Sequence, residues 1–93
     1  MAVGIRLKLA GVTQEQFDAA NAHIDPVADP PVGLLFHASG PIEDGWGVID
    51  FWESRATFDA FESRIGEAVA AVGVEMQGPP DVKEFPVHEM FKP

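Results

Sequence analysis

Two segments of the chain carry residues whose types and spacing can do chemistry. GLLFHAS (residues 33–39) holds His37, and GWGVIDFWES (residues 45–54) holds Asp50 between Trp46 and Trp52. Both segments alternate as strands do, and alternation puts His37 and Asp50 on one face of a hairpin, directly opposite or diagonal and within reach of each other. A carboxylate that orients an imidazole and raises its basicity makes a general base. Such a base needs a pocket, and Trp46 and Trp52 can wall one. Arg6 can neutralise an anionic ligand, and His88 can add a second polar contact. The catalytic candidates are therefore His37 and Asp50, and the ligand-binding candidates are Arg6, Trp46, Trp52 and His88. A plainer reading stands beside each: a structural His–Asp bond at an interface, tryptophans that only pack, and cations paired with Asp50 or Glu84 across strands.

Other chemistries lack their signatures. No glycine-rich phosphate loop, nucleophile elbow or dinucleotide fingerprint occurs. Two histidines and a carboxylate on one face can form a facial metal site, but no local histidine spacing supports one, so neither a metal nor another cofactor is expected. With no cysteine there is no disulfide, thiolate site or cysteine nucleophile.

The elements that must position these residues follow from periodicity. Val3, Ile5, Leu7 and Leu9 alternate with Gly4, Arg6 and Lys8 as a first strand that Gly11 ends. Thr13 with a glutamine three residues on is a capping-box pattern, and it opens a helix over about 14–23 with Phe17, Ala20 and Ile24 on one face. Prolines at 26, 30 and 31 make the next segment a loop. Residues 33–39 form strand two, 40–45 a hairpin connection and 45–54 strand three. Ser54 caps a second helix over 55–72, whose Phe58, Phe61, Ile65, Ala68, Val69 and Val72 form a stripe that Gly73 stops. Strand four spans about 82–90, and Pro86 makes it an edge strand or a bulged one.

The order βαββαβ gives an α+β, ferredoxin-like fold: one four-stranded antiparallel sheet with two helices on one face. Parity then assigns Ile5, Leu7, Leu9, Leu34, Phe36, Ala38, Ile49, Phe51, Phe85 and Val87 to the helices. The opposite face would hold Arg6, Lys8, Leu35, His37, Ser39, Trp46, Val48, Asp50, Trp52, Glu84, Pro86 and His88. A solvated face does not normally carry two tryptophans, so this one is expected to be covered by a second copy, sheet against sheet.

Composition narrows the partners. The 93 residues make a single domain over 1–93, and a domain this small often associates to bury more surface. A net charge of −9 with only six scattered Lys and Arg argues against nucleic acid. No signal-peptide core or bilayer-length apolar run is present, so the expectation is a cytoplasmic protein with no membrane partner.

The strand order, the WES at a strand-to-helix junction followed by ATFDAF, and the two-faced sheet resemble the dimeric α+β barrel superfamily, and within it the small antibiotic-biosynthesis-monooxygenase-like proteins. The resemblance covers nearly the whole chain. It implies a homodimer whose sheets enclose a lumen, with small apolar or aromatic ligands held in the barrel or between sheet and helices. Some members are cofactor-free monooxygenases of polycyclic aromatics; others degrade haem, isomerise substrates or have no assigned activity. The haem-degrading branch carries a histidine late in the second helix, where this chain has Ala68, Val69, Ala70 and Ala71, and an asparagine on the first strand, where it has Arg6 and Lys8. Haem is therefore not expected. With no tyrosine in the chain, chemistry that relies on a tyrosine proton donor does not transfer either. The expected function is small-molecule binding in an α+β barrel, as a cofactor-independent monooxygenase or isomerase, or alternatively as a non-catalytic binding protein or a purely structural homodimer.

Overall fold

Each helix begins where a side chain can hold the free amides of its first turn. Thr13 Oγ1 accepts from the Gln16 amide at 3.1 Å, and Gln16 Oε1 accepts from the Thr13 amide at 3.0 Å. Ser54 and Thr57 close the same box at the second helix, at 3.2 and 3.3 Å. Gly73 ends that helix in the left-handed conformation at φ 71°. In a computed structural model the elements are β1 (Val3–Ala10), α1 (Gln14–Ile24), β2 (Leu34–Ile42), β3 (Gly45–Trp52), α2 (Arg55–Val72) and β4 (Asp81–Pro86). The structure describes residues 1–75 and 77–93.

The strands form one antiparallel sheet in the order β2-β3-β1-β4. This is the ferredoxin-like arrangement, and β4 with its terminal Pro86 lies at an edge. β2 runs on to Ile42 rather than stopping at Ser39, because Pro41 sits on an outer strand where its missing donor costs no central ladder bond. The hairpin connection is therefore only Glu43 and Asp44. Gly45 is required where β3 begins: a Cβ there would collide with the Leu9 carbonyl oxygen on β1. β4 stops at Pro86, so His88 lies beyond it.

The two faces are not those that alternation assigns. Ile5 pairs with Asp50, Leu7 with Val48 and Leu9 with Trp46, and paired residues share a face. Trp46, Val48, Asp50 and Trp52 therefore face the helices, and all four are buried. Trp52 has no exposed surface and packs against Phe58 and Phe61 of α2, at 5.9 and 5.2 Å between ring centroids. Trp46 stacks on Phe17 of α1 at 5.3 Å. A bulge explains the failure on β2. Leu34 pairs with Trp52 but Phe36 pairs with Phe51, so alternation breaks at Leu35 and Phe36 crosses to the opposite face.

That opposite face is open in the single chain. Phe36 and Phe51 lie 6.3 Å apart, as do Phe51 and Phe85, so three rings form a row across the sheet. The row closes over Gly4, where a Cβ would stand 2.5 Å from the Phe85 ring. Phe36, Ile49 and Phe85 are each more than half exposed. Arg6 is on this face too, bonded to Asp81 at 3.1 Å.

Candidate active site

His37 on β2 and Asp50 on β3 are register partners, and Nδ1 of His37 lies 2.6 Å from Oδ1 of Asp50. A carboxylate oxygen can only accept, so Nδ1 donates. In the neutral ring this leaves the lone pair on Nε2, the nitrogen that Asp50 does not use. Asp50 is 3% exposed, while the His37 side chain keeps 38% of its surface open. The Phe17 ring of α1 lies parallel to the imidazole within 5°, centroids 6.4 Å apart. The first turns of α1, fixed by the Thr13 cap, thus stand over the pair.

The pair forms part of the wall of a cavity of about 380 Å³ between sheet and helices. The cavity lies between the sheet and the two helices. Leu7, Leu9 and Val48 supply its sheet side, Phe17, Ala20 and Ile24 its α1 side, and Phe58, Phe61, Ile65 and Val69 its α2 side. Its polar groups are His37, Asp50, Gln16, Asn21 and Glu62. Pro26 and Pro31 close one part from the loop between α1 and β2. That loop is held to α2 by Arg64, whose Nη2 donates to the carbonyls of Ile24 and Asp29 at 3.0 and 3.1 Å and to Asp29 Oδ2 at 3.1 Å.

Of the six residues singled out in the sequence, the structure brings only His37 and Asp50 together. Trp46 and Trp52 do not face a lumen between two sheets; they are packed beneath the helices, and neither indole N–H has a hydrogen-bond partner among the described residues. Trp52 is core, and Trp46 does not line the cavity but stacks on Phe17, which does. Arg6 lies on the other side of the sheet, and His88 is exposed past the end of β4 and does not line the cavity. Phe17, Asn21, Glu62 and Arg64 were not singled out in the sequence. Phe17 was visible as the start of an apolar helix face, but nothing local distinguishes Glu62 or Arg64 from other surface charges of a helix.

The hydrogen bond to Asp50 raises the His37 pKa above its ordinary 6.5, the carboxylate's charge raises it further, and burial opposes both. The folded protein therefore holds this proton more tightly than the unfolded chain. The resulting stabilisation is fully present below the unfolded value of 6.5 and is lost as pH rises through the folded one. Urea midpoints are expected to fall more steeply in the wild type than in His37→Gln as pH rises above 6.5. Parallel profiles would contradict this.

No protein-family model matches the chain, and no curated protein matches it in sequence. Solved structures do match in fold. A provisionally named antibiotic biosynthesis monooxygenase from Caulobacter crescentus superposes with a TM-score of 0.72 at 18% identity, over 95% of this chain and 91% of that one. A dimeric ferredoxin-like protein of unknown function from Jannaschia gives 0.63 at 18%, over 94% and 100%. A variant of SnoaB, a cofactor-independent oxygenase from Streptomyces nogalater, gives 0.62 at 10%, over 96% and 94%. The chain thus has the fold of antibiotic-biosynthesis-monooxygenase-like proteins, and identities this low carry the fold alone.

Proposed function

We propose that residues 1–93 form a single α+β barrel domain that works as a homodimer, binds a small apolar or aromatic molecule between sheet and helices, and uses His37 as a general base. The observation that carries this reading is the His37–Asp50 bond at 2.6 Å in the wall of an apolar cavity. A buried carboxylate bonded to a partly open imidazole in a cavity wall is an arrangement in which functional acid–base pairs are found. Nε2 takes a proton from an acidic C–H or O–H of the ligand, and Asp50 stabilises the imidazolium that forms. The electron-rich conjugate base then has two outlets. Reprotonation at another atom is an isomerisation. Reaction with O2 at a methylene gives a ketone, with one oxygen atom kept and the other released as water, so the substrate supplies the electrons and no cofactor is needed. The cofactor-independent oxygenase among the structures of this fold supports the second outlet.

The test is oxygen uptake and product analysis with hydroxylated aromatics, comparing the wild type with Asp50→Asn. Turnover in the wild type that falls in the variant supports the base. Ligand binding with no turnover in either protein replaces this reading with a non-catalytic binding protein.

The homodimer is proposed to form through the Phe36, Ile49, Phe51 and Phe85 face, since a contiguous apolar patch on a small domain marks an interface. Ile49→Asp places a charge in its middle and is expected to convert a dimer into a folded monomer in light scattering. A wild-type chain that stays monomeric when concentrated would remove the proposal.

A further inference from the structure

We propose that the cavity selects uncharged, weakly acidic hydroxy-aromatic ligands and turns away carboxylates, with Glu62 enforcing the choice at its mouth. This rests on the cavity being the ligand site. Among the described residues its titratable lining groups are His37, Asp50 and Glu62, and no lysine or arginine lines it. Two of the six basic side chains lie behind that lining, with the Arg55 and Arg64 guanidiniums 5.5 Å from the Phe58 and Phe61 ring centroids, and each is matched by a carboxylate. Arg6, Lys8 and Lys83 belong to the open sheet face, where Arg6 is bonded to Asp81. Arg55 is bonded to Asp59 and Glu84, Arg64 holds the loop, and Lys92 is exposed near the C-terminus.

The one imidazole is already matched by Asp50, so no positive charge is left to neutralise a second carboxylate. Glu62 is exposed yet lines the cavity, which puts it at the entrance and adds a repelling charge there. A carboxylate that enters must leave water for an apolar space without a counter-ion, which is strongly unfavourable. A phenolic hydroxyl meets the opposite situation. It enters uncharged, donates to Nε2 of His37, and becomes an oxyanion only by placing its proton on that nitrogen. The negative charge then appears beside the imidazolium that balances it. The site accepts an anion made in place and rejects one brought in.

The test is calorimetric titration of the wild type at neutral pH with 2-naphthol, 2-naphthoate and methyl 2-naphthoate, the ester keeping the shape of the acid without its charge. We expect 2-naphthol and the ester to bind and 2-naphthoate to bind at least tenfold more weakly, a difference of about 1.4 kcal/mol. Glu62→Lys, a change at an exposed helix position, is expected to narrow the gap between 2-naphthol and 2-naphthoate at least tenfold. Equal binding of 2-naphthol and 2-naphthoate would overturn the charge selection and leave the proposed ligand site standing. A gap unchanged in Glu62→Lys would overturn the role of Glu62. Failure of all three compounds to bind would remove the selection together with the ligand site.

Discussion

Replacing His37 with alanine is expected to lower turnover by roughly 10²–10⁴-fold, the usual worth of a positioned general base. The loss should fall on kcat more than on KM, because the aliphatic and phenylalanine side chains that supply most of the cavity wall are untouched. The substitution has a second effect. It strands a carboxylate that is 3% exposed, and an unpaired buried acceptor costs about 1–3 kcal/mol. Asp50→Asn separates the two. It keeps the size of the side chain and can still accept from Nδ1, but it withdraws the charge that supports an imidazolium. A large fall in kcat in both variants, with the oligomeric state unchanged, is the expected result. Wild-type kcat in either folded variant would show that the pair is only a structural bond.

Trp52→Ala is expected to lower stability by about 3–5 kcal/mol, the usual range for removing a large aromatic from a core. Trp52 has no exposed surface and sits against Phe58 and Phe61, so little can collapse into the space it leaves. For a domain of this size each kcal/mol lowers the melting midpoint by roughly 4–8 °C, so the loss is easily read by calorimetry. It is also a large part of the roughly 5–15 kcal/mol that holds a typical domain folded. Trp52→Phe, which keeps most of the apolar volume, should lose much less. A tryptophan lining a space between two sheets would behave differently: its removal would weaken association or ligand binding and spare the fold. A melting midpoint unchanged in Trp52→Ala would therefore refute the packing described here.

The order of elements was legible in the sequence because it rests on local signals. Thr13–Gln16 and Ser54 start the helices, Gly73 ends the second, and α2 spans Arg55–Val72 as its apolar stripe requires. The closeness of His37 and Asp50 was legible too, since two residues of matching parity on one hairpin fall opposite or diagonal to each other, and the register makes them direct partners. The side of the sheet on which they meet was not. Both faces of this sheet carry large apolar residues, so hydrophobicity cannot rank them, and the charge of Asp50 argues for the wrong one. The bulge at Leu35 has no sequence marker such as glycine, and one extra residue there reverses the strand that carries His37. The cavity lay beyond reach for a related reason. It is bounded by residues of three strands, both helices and their loops, and periodicity within one element says nothing about how separate elements pack around a space.

The burial of both tryptophans on the helix side has an optical consequence. The chain has no tyrosine, so its long-wavelength intrinsic fluorescence comes from the indoles of Trp46 and Trp52. One indole stacks on the phenylalanine that lies parallel to His37, and the other touches two cavity-lining phenylalanines. On the opposite face, among the described residues, the aromatic row is Phe36, Phe51 and Phe85, with no tryptophan. Light emitted by this protein therefore reports on the space between sheet and helices and is nearly blind to whatever covers the other side.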